Sequence, residues 1–255
     1  MKLNIGKIAF AAIVLPAGLG LFSCQSEDEK PISESETQAS LKATTTQPTS
    51  STSENGRFTI SGFTVKEFTV GTRDVEMKYY AAADLIAGID LGGIQLTTAL
   101  NADLQRSSSE QKSLKLISNG ETKVSLVGEG NTPAGSYKEV SFSLYKTQSS
   151  GDPMYQKSLL ITGEINGKST QFWTETEKVI EAAAESDSGI EVENNTELLL
   201  SFEMDKLFAG VDFSSATDVN NDGKIEIRPN SPDGNTEILA KIEANIENSV
   251  VLRKR

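Results

Sequence analysis

The sequence predicts a mainly β domain, a sandwich or barrel with one C-terminal helix packed on an end or edge. Three observations carry that reading. Short runs of alternating apolar and polar residues recur along the chain, turn signals such as Asn119-Gly120 and Asn166-Gly167 separate them, and a single stretch near the end has helical spacing.

Order is expected from Arg57 onward. Residues 58–70 read as strand, with Ile60, Phe63, Val65, Phe68 and Val70 set among Gly and Thr. Gly71-Thr72-Arg73-Asp74 reads as a turn before a second strand over 75–82. Residues 84–90 fit a short helix or a loop, and Gly92-Gly93 precedes a strand over 94–100. Leu114-Lys115-Leu116-Ile117 resumes the sheet, and Asn119-Gly120 joins it as a hairpin to 122–127, because both residues tolerate the positive φ of a two-residue turn.

In 138–146, Val140, Phe142 and Leu144 alternate with Glu139, Ser141 and Ser143, the pattern of a half-buried strand. Asn166-Gly167 marks a second hairpin between 158–165 and 170–174. Residues 177–185 stay open between helix and strand. In 196–204 the side chains of Leu198, Leu200, Phe202 and Met204 share one face. An Asx-rich loop over 218–227 runs into a short strand. Ile238, Leu239, Ile242 and Ile246 then recur at helical spacing, with Asn235 or Thr236 able to cap the start and Asn248 the end. Arg253-Lys254-Arg255 reads as a solvated tail.

The first 23 residues have a different character. Lys2 and Lys7 precede an apolar run of 15 residues, Ile8 to Phe22, interrupted by Pro16, Gly18 and Gly20. A membrane-spanning helix needs about 20 apolar residues, so residues 1–23 are expected to be a signal peptide that is removed. Between 24 and 56 the chain is rich in Ser, Thr, Gln, Glu and Pro and holds no aromatic residue, which reads as a disordered tether leading to a domain over 57–255.

Charge and composition exclude several function classes. The 255 residues carry a net charge of −12 with no histidine and one cysteine, and loss of Lys2 and Lys7 takes the charge to −14. Such a surface repels nucleic acid. Without histidine, and with its cysteine assigned to the anchor below, the chain has no zinc site of the His/Cys kind, no Ser-His-Asp or Cys-His nucleophile system and no histidine-ligated haem.

Leu21-Phe22-Ser23-Cys24 resembles a bacterial lipobox, which implies cleavage before Cys24 and lipidation of its thiol. The acidic run after it, Ser26-Glu27-Asp28-Glu29, resembles the export tag that sends lipoproteins of the Bacteroidota to the outer face of the outer membrane. Three further stretches are similar to a group of uncharacterised exported Bacteroidota lipoproteins: Thr132-Pro133-Ala134-Gly135-Ser136-Tyr137, Ile161-Thr162-Gly163-Glu164-Ile165-Asn166-Gly167 followed by Phe172-Trp173, and Leu198 through Phe208. That resemblance implies an immunoglobulin-like or transthyretin-like β-sandwich and no particular activity.

Two places hold candidate binding residues. In Asp218-Val219-Asn220-Asn221-Asp222-Gly223-Lys224-Ile225, oxygen side chains fall at alternate positions before a glycine, which resembles the first half of an EF-hand or dockerin loop for Ca²⁺ through Asp218, Asn220 and Asp222. The twelfth position is Pro229, so Glu226 or Asp233 would complete the shell. The alternative is an Asx turn with no ion. Trp173 beside Phe172 places one ring in the core and the other outside, where an indole can stack on a sugar or simply pack at a sheet edge. Ser109-Glu110-Gln111-Lys112 matches a Ser-x-x-Lys spacing, but it sits in a Ser-rich turn without the partner motifs of that chemistry.

The expectation is therefore a non-enzymatic, lipid-anchored protein of the outer membrane facing the exterior, which binds a protein or glycan. Alternatives are an accessory glycan-binding lipoprotein of a polysaccharide uptake system, and a pilus anchor or subunit in which residues 250–252 pair with a neighbour's sheet.

Overall fold

The computed structural model describes residues 36–46, 52–54, 57–80, 99–103 and 110–255. The strands follow as β1 (Glu36–Thr46), β2 (Thr52–Glu54), β3 (Arg57–Ile60), β4 (Phe63–Tyr80), β5 (Ala99–Asp103), β6 (Lys112–Ser118), β7 (Glu121–Thr122), β8 (Ser125–Pro133) and β9 (Gly135–Leu144). Next come β10 (Leu159–Ile165), β11 (Lys168–Thr174), β12 (Val179–Ala183), β13 (Ile190–Val192) and β14 (Thr196–Glu203). A one-turn helix α1 (Met204–Leu207), β15 (Lys224–Ile227), the longer helix α2 (Thr236–Asn245) and β16 (Val250–Lys254) complete the order.

These strands form two sheets. The smaller runs β16-β14-β1-β8, and the larger follows the path β12-β9-β4-β10-β11-β15 with the remaining short strands attached. The two sheets bury one continuous apolar core, so the chain is a β-sandwich with little helix, as the alternation predicts. Phe202 on β14 locks the layers together: its ring lies 5.8 Å from that of Phe68 on β4, edge-on at 89°, and 6.2 Å from that of Phe142 on β9. Each such fully buried aromatic contributes about 1.5–3 kcal/mol through lost contact with water. A second aromatic group, Phe63, Phe208 and Phe213, with centroids 5.1–5.9 Å apart, anchors the segment after α1. Helix α2 covers that end with Ile238, Leu239 and Ile242, as its spacing predicts.

The tether expected over 24–56 is corrected in its middle part. Residues 36–46 are β1, held parallel to β14 and antiparallel to β8. Ala39, Leu41 and Ala43 point into the core at 5, 0 and 0% exposure, while Gln38, Ser40 and Lys42 point away from it. The composition is that of a linker, but the period of two is that of a strand, and in a central strand small apolar residues suffice.

Other local readings change for identifiable reasons. The 58–70 run is two strands, because Ser61 and Gly62 take φ of 49° and 87° and turn β3 back on β4. The turn expected at 71–74 is instead a bulge inside the 18-residue β4, with Asp74 at φ 50° and a register shift between Arg73 and Glu76. Gly71 is required there: a Cβ would stand 2.1 Å from the carbonyl oxygen of Tyr145, whose own amide donates to the Gly71 carbonyl. The 177–185 run contains strand β12, antiparallel to β9. Both predicted Asn-Gly turns form hairpins, with φ of 54° and 80° at Asn119-Gly120 and 51° and 76° at Asn166-Gly167, but the first is short: only Glu121 and Thr122 pair back on β6, and 125–127 belong to β8 in the smaller sheet. Of the basic end, Arg253 and Lys254 belong to β16 rather than to a tail, and Arg253 pairs with Glu203 and Arg255 with Glu197 at 2.7 Å each.

Candidate functional site

The Asx-rich loop precedes β15, and Ile225 fixes its far end in the core at 2% exposure. Asn221 and Gly223 take φ of 58° and 83°, which tightens the loop. The side-chain oxygens turn inward onto backbone amides: Asp222 N–H donates to Asp218 Oδ1 and Asn220 Oδ1 at 3.1 and 3.0 Å, Gly223 N–H to Asp218 Oδ2 at 3.1 Å, and Lys224 N–H to Asp222 Oδ1 at 2.9 Å. The Asp218 side chain is only 2% exposed, and Lys168 Nζ stands 2.9 Å from its Oδ2. That ammonium, with the two amides, holds the Asp218 carboxyl below the usual aspartate range.

Neither of the residues expected to complete a calcium shell is free of other work. Glu226 Oε2 pairs with Arg228 at 3.0 Å, and Asp233 Oδ2 accepts the Glu226 amide at 2.7 Å. Asp233 is 1% exposed, and its Oδ1 has no hydrogen-bond partner. Among the described residues no group of three or more His, Cys, Asp and Glu side chains is disposed to hold a metal. Asp218, Asn220 and Asp222 thus offer two carboxylates and an amide oxygen, with Lys168 as the cation already facing the first of them.

Phe172 is fully buried and Trp173 half-exposed on the opposite face of β11, as alternation requires. The indole is flanked by cations, with Lys157 Nζ 5.6 Å and Arg228 Cζ 5.8 Å from the ring centroid. Arg228 is itself fixed by Glu226 and the carbonyls of Pro229 and Asn230. The Trp173 ring therefore packs within a cation–π group that ties β11 to the end of β15.

A third site was not read from the sequence. A groove of about 770 Å³ lies over β1 and β8 on the outward side of the smaller sheet. Strand register builds its floor in two rows. Gln38 on β1 is opposite Asn131 on β8, with Asn195 just before β14 on the other side; one step along, Ser40 is opposite Glu129 on β8 and level with Glu197 on β14. Glu197 is held by Lys42 and by Arg255, and the Lys42 contact is the larger cause of its lowered pKa. Gln38, Ser40, Glu129, Asn131 and Asn195 make no side-chain hydrogen bond among the described residues, and all but Ser40 are exposed. The available signal was the alternation of Gln38, Ser40 and Lys42 with Ala39, Leu41 and Ala43, hidden by a linker-like composition.

Cys24, the acidic run at 26–29, Ser109 and the 84–90 stretch lie outside the described residues. The segment expected to lend a strand to a neighbour, 250–252, is paired with Phe202 to Leu200 of its own chain. No protein-family model matches the chain, and neither the curated proteins nor the solved structures provide a match.

Proposed function

We propose that this chain is a lipid-anchored β-sandwich protein of the bacterial outer membrane, facing the cell exterior, that acts by binding rather than by catalysis. The observation that carries the binding reading is the groove over β1 and β8, where the side chains of Gln38, Ser40, Glu129, Asn131 and Asn195 make no hydrogen bond among the described residues. Its likeness to the exported lipoproteins of the Bacteroidota, the lipobox ending at Cys24 and the acidic run after it support the address. A Ca²⁺ ion at Asp218, Asn220 and Asp222 would act structurally, bracing the entry to β15.

Protease shaving of intact cells tests the address, following an epitope placed after Arg255 beside a periplasmic control. Loss of the epitope with the control intact is expected, and Cys24→Ser should move the protein out of the membrane fraction. An epitope cut only after lysis would place the domain in the periplasm and end the surface reading.

A further inference from the structure

Resting on the binding reading above, we infer that the groove over β1 and β8 takes a neutral glycan, held by the amide row of Gln38, Asn131 and Asn195 and the adjoining Ser40 and Glu129. The chemistry of the floor selects this class. Amides donate and accept side by side, and a carboxylate accepts from two hydroxyls at once, so the two rows match the paired donors and acceptors of vicinal sugar hydroxyls. Strands lie about 4.8 Å apart, and same-face neighbours along a strand about 7 Å apart. The array is therefore about 10 Å wide and two rows deep, the footprint of a sugar chain rather than of a single ion.

Charge argues against the other occupants. Around the groove Glu110 pairs with Lys112 at 3.2 Å, and Glu197 is held by Lys42 and Arg255, so with Glu129 three carboxylates balance three cations. A polyanion gains nothing from a balanced floor on a chain of net charge −12. A divalent cation needs carboxylates in one shell, yet Glu129 and Glu197 stand on opposite sides of β1, about 10 Å apart at their Cα atoms.

The test uses the full chain in detergent micelles against immobilised β-glucan, α-mannan, xylan and galactan, with polygalacturonate as the anionic comparison. At least one neutral glycan should bind, with little change between about 0.05 and 0.5 M salt. Gln38→Ala and Asn131→Ala should each weaken that binding about five- to tenfold with the melting temperature unchanged. Trp173→Ala should leave it intact. Retention of none of the neutral glycans, binding that survives both groove substitutions, or binding confined to polygalacturonate and lost in salt would each overturn the inference. A photo-cross-linking residue in place of Gln38 on intact cells separates this failure from that of the broader reading. Labelling of a cell-surface protein without glycan binding would overturn the glycan alone, and no labelling with no glycan binding would end both.

Discussion

The hydroxyl of Tyr137 donates to the carbonyl of Pro133, four residues back, at 2.8 Å, with its side chain completely buried. Thr132 Oγ1 lies 2.6 Å from the same hydroxyl, and since the Tyr137 proton faces Pro133, Thr132 is the donor. This clasp closes the corner between β8 and β9, where the chain leaves the smaller sheet for the larger one. Tyr137→Phe keeps the ring but strands the Pro133 carbonyl and the buried Thr132 hydroxyl, so urea unfolding should show a loss of about 1–3 kcal/mol. An unchanged midpoint would mean that water replaces the bond.

Leu41→Ala tests whether β1 belongs to the folded body. Its side chain is fully buried, so the substitution should cost about 2–5 kcal/mol through lost burial and a residual cavity. A tether residue would cost nothing measurable. Limited proteolysis gives the same answer independently, since 36–46 should resist cleavage as long as the sandwich is intact.

Phe202→Leu should destabilise by about 1–3 kcal/mol, because one ring touches both Phe68 and Phe142 across the layers. Paired with Phe68→Leu, it should show less than additive loss, since the two rings share one contact.

Calcium at millimolar concentration should raise the melting temperature if the Asp218 loop holds the ion. At about a hundredfold excess over Kd the gain is about 2.7 kcal/mol. Asp222→Ala should abolish the rise, and a wild-type melting temperature indifferent to Ca²⁺ would discard the ion.

The Asp218–Lys168 pair also sets a pH dependence. Lys168 holds the folded-state pKa of Asp218 below its unfolded value, so the unfolded chain binds the proton more readily in acid. The stabilisation is present above an unfolded aspartate pKa of about 3.9 and is lost as pH falls through the folded value. Comparing unfolding at neutral pH and in acid below that value, Lys168→Gln should reduce the acid-induced loss of stability. An identical pH profile would show that the pair is too well solvated to matter.

Much of the sandwich was legible because its strands advertise themselves twice, by alternation and by turn chemistry. Asn119-Gly120 and Asn166-Gly167 form the expected hairpins, and Leu198, Leu200 and Phe202 face the core together. Gly71 is ambiguous in the sequence because glycine marks both turns and close backbone approaches, and only the presence of Tyr145 across the sheet decides between them. The groove was illegible for a related reason. Gln38, Asn131 and Asn195 are far apart along the chain, and nothing local to any of them shows that β1 will run between β8 and β14. Trp173 stands out in the sequence by rarity, whereas its neighbours Lys157 and Arg228 come from other parts of the chain.

The pairing of β1 with β14 also governs when the molecule can finish folding. Lys42 meets Glu197, 155 residues later, so the earliest described strand acquires its parallel neighbour only after most of the polypeptide exists. Contacts of such sequence separation are slow to form, because the loop must close before the contact repays it. During synthesis from the N-terminus the smaller sheet therefore cannot close until β14 and β16 have been made. The order of the strands thus acts as a clock that makes closure of the smaller sheet a late event.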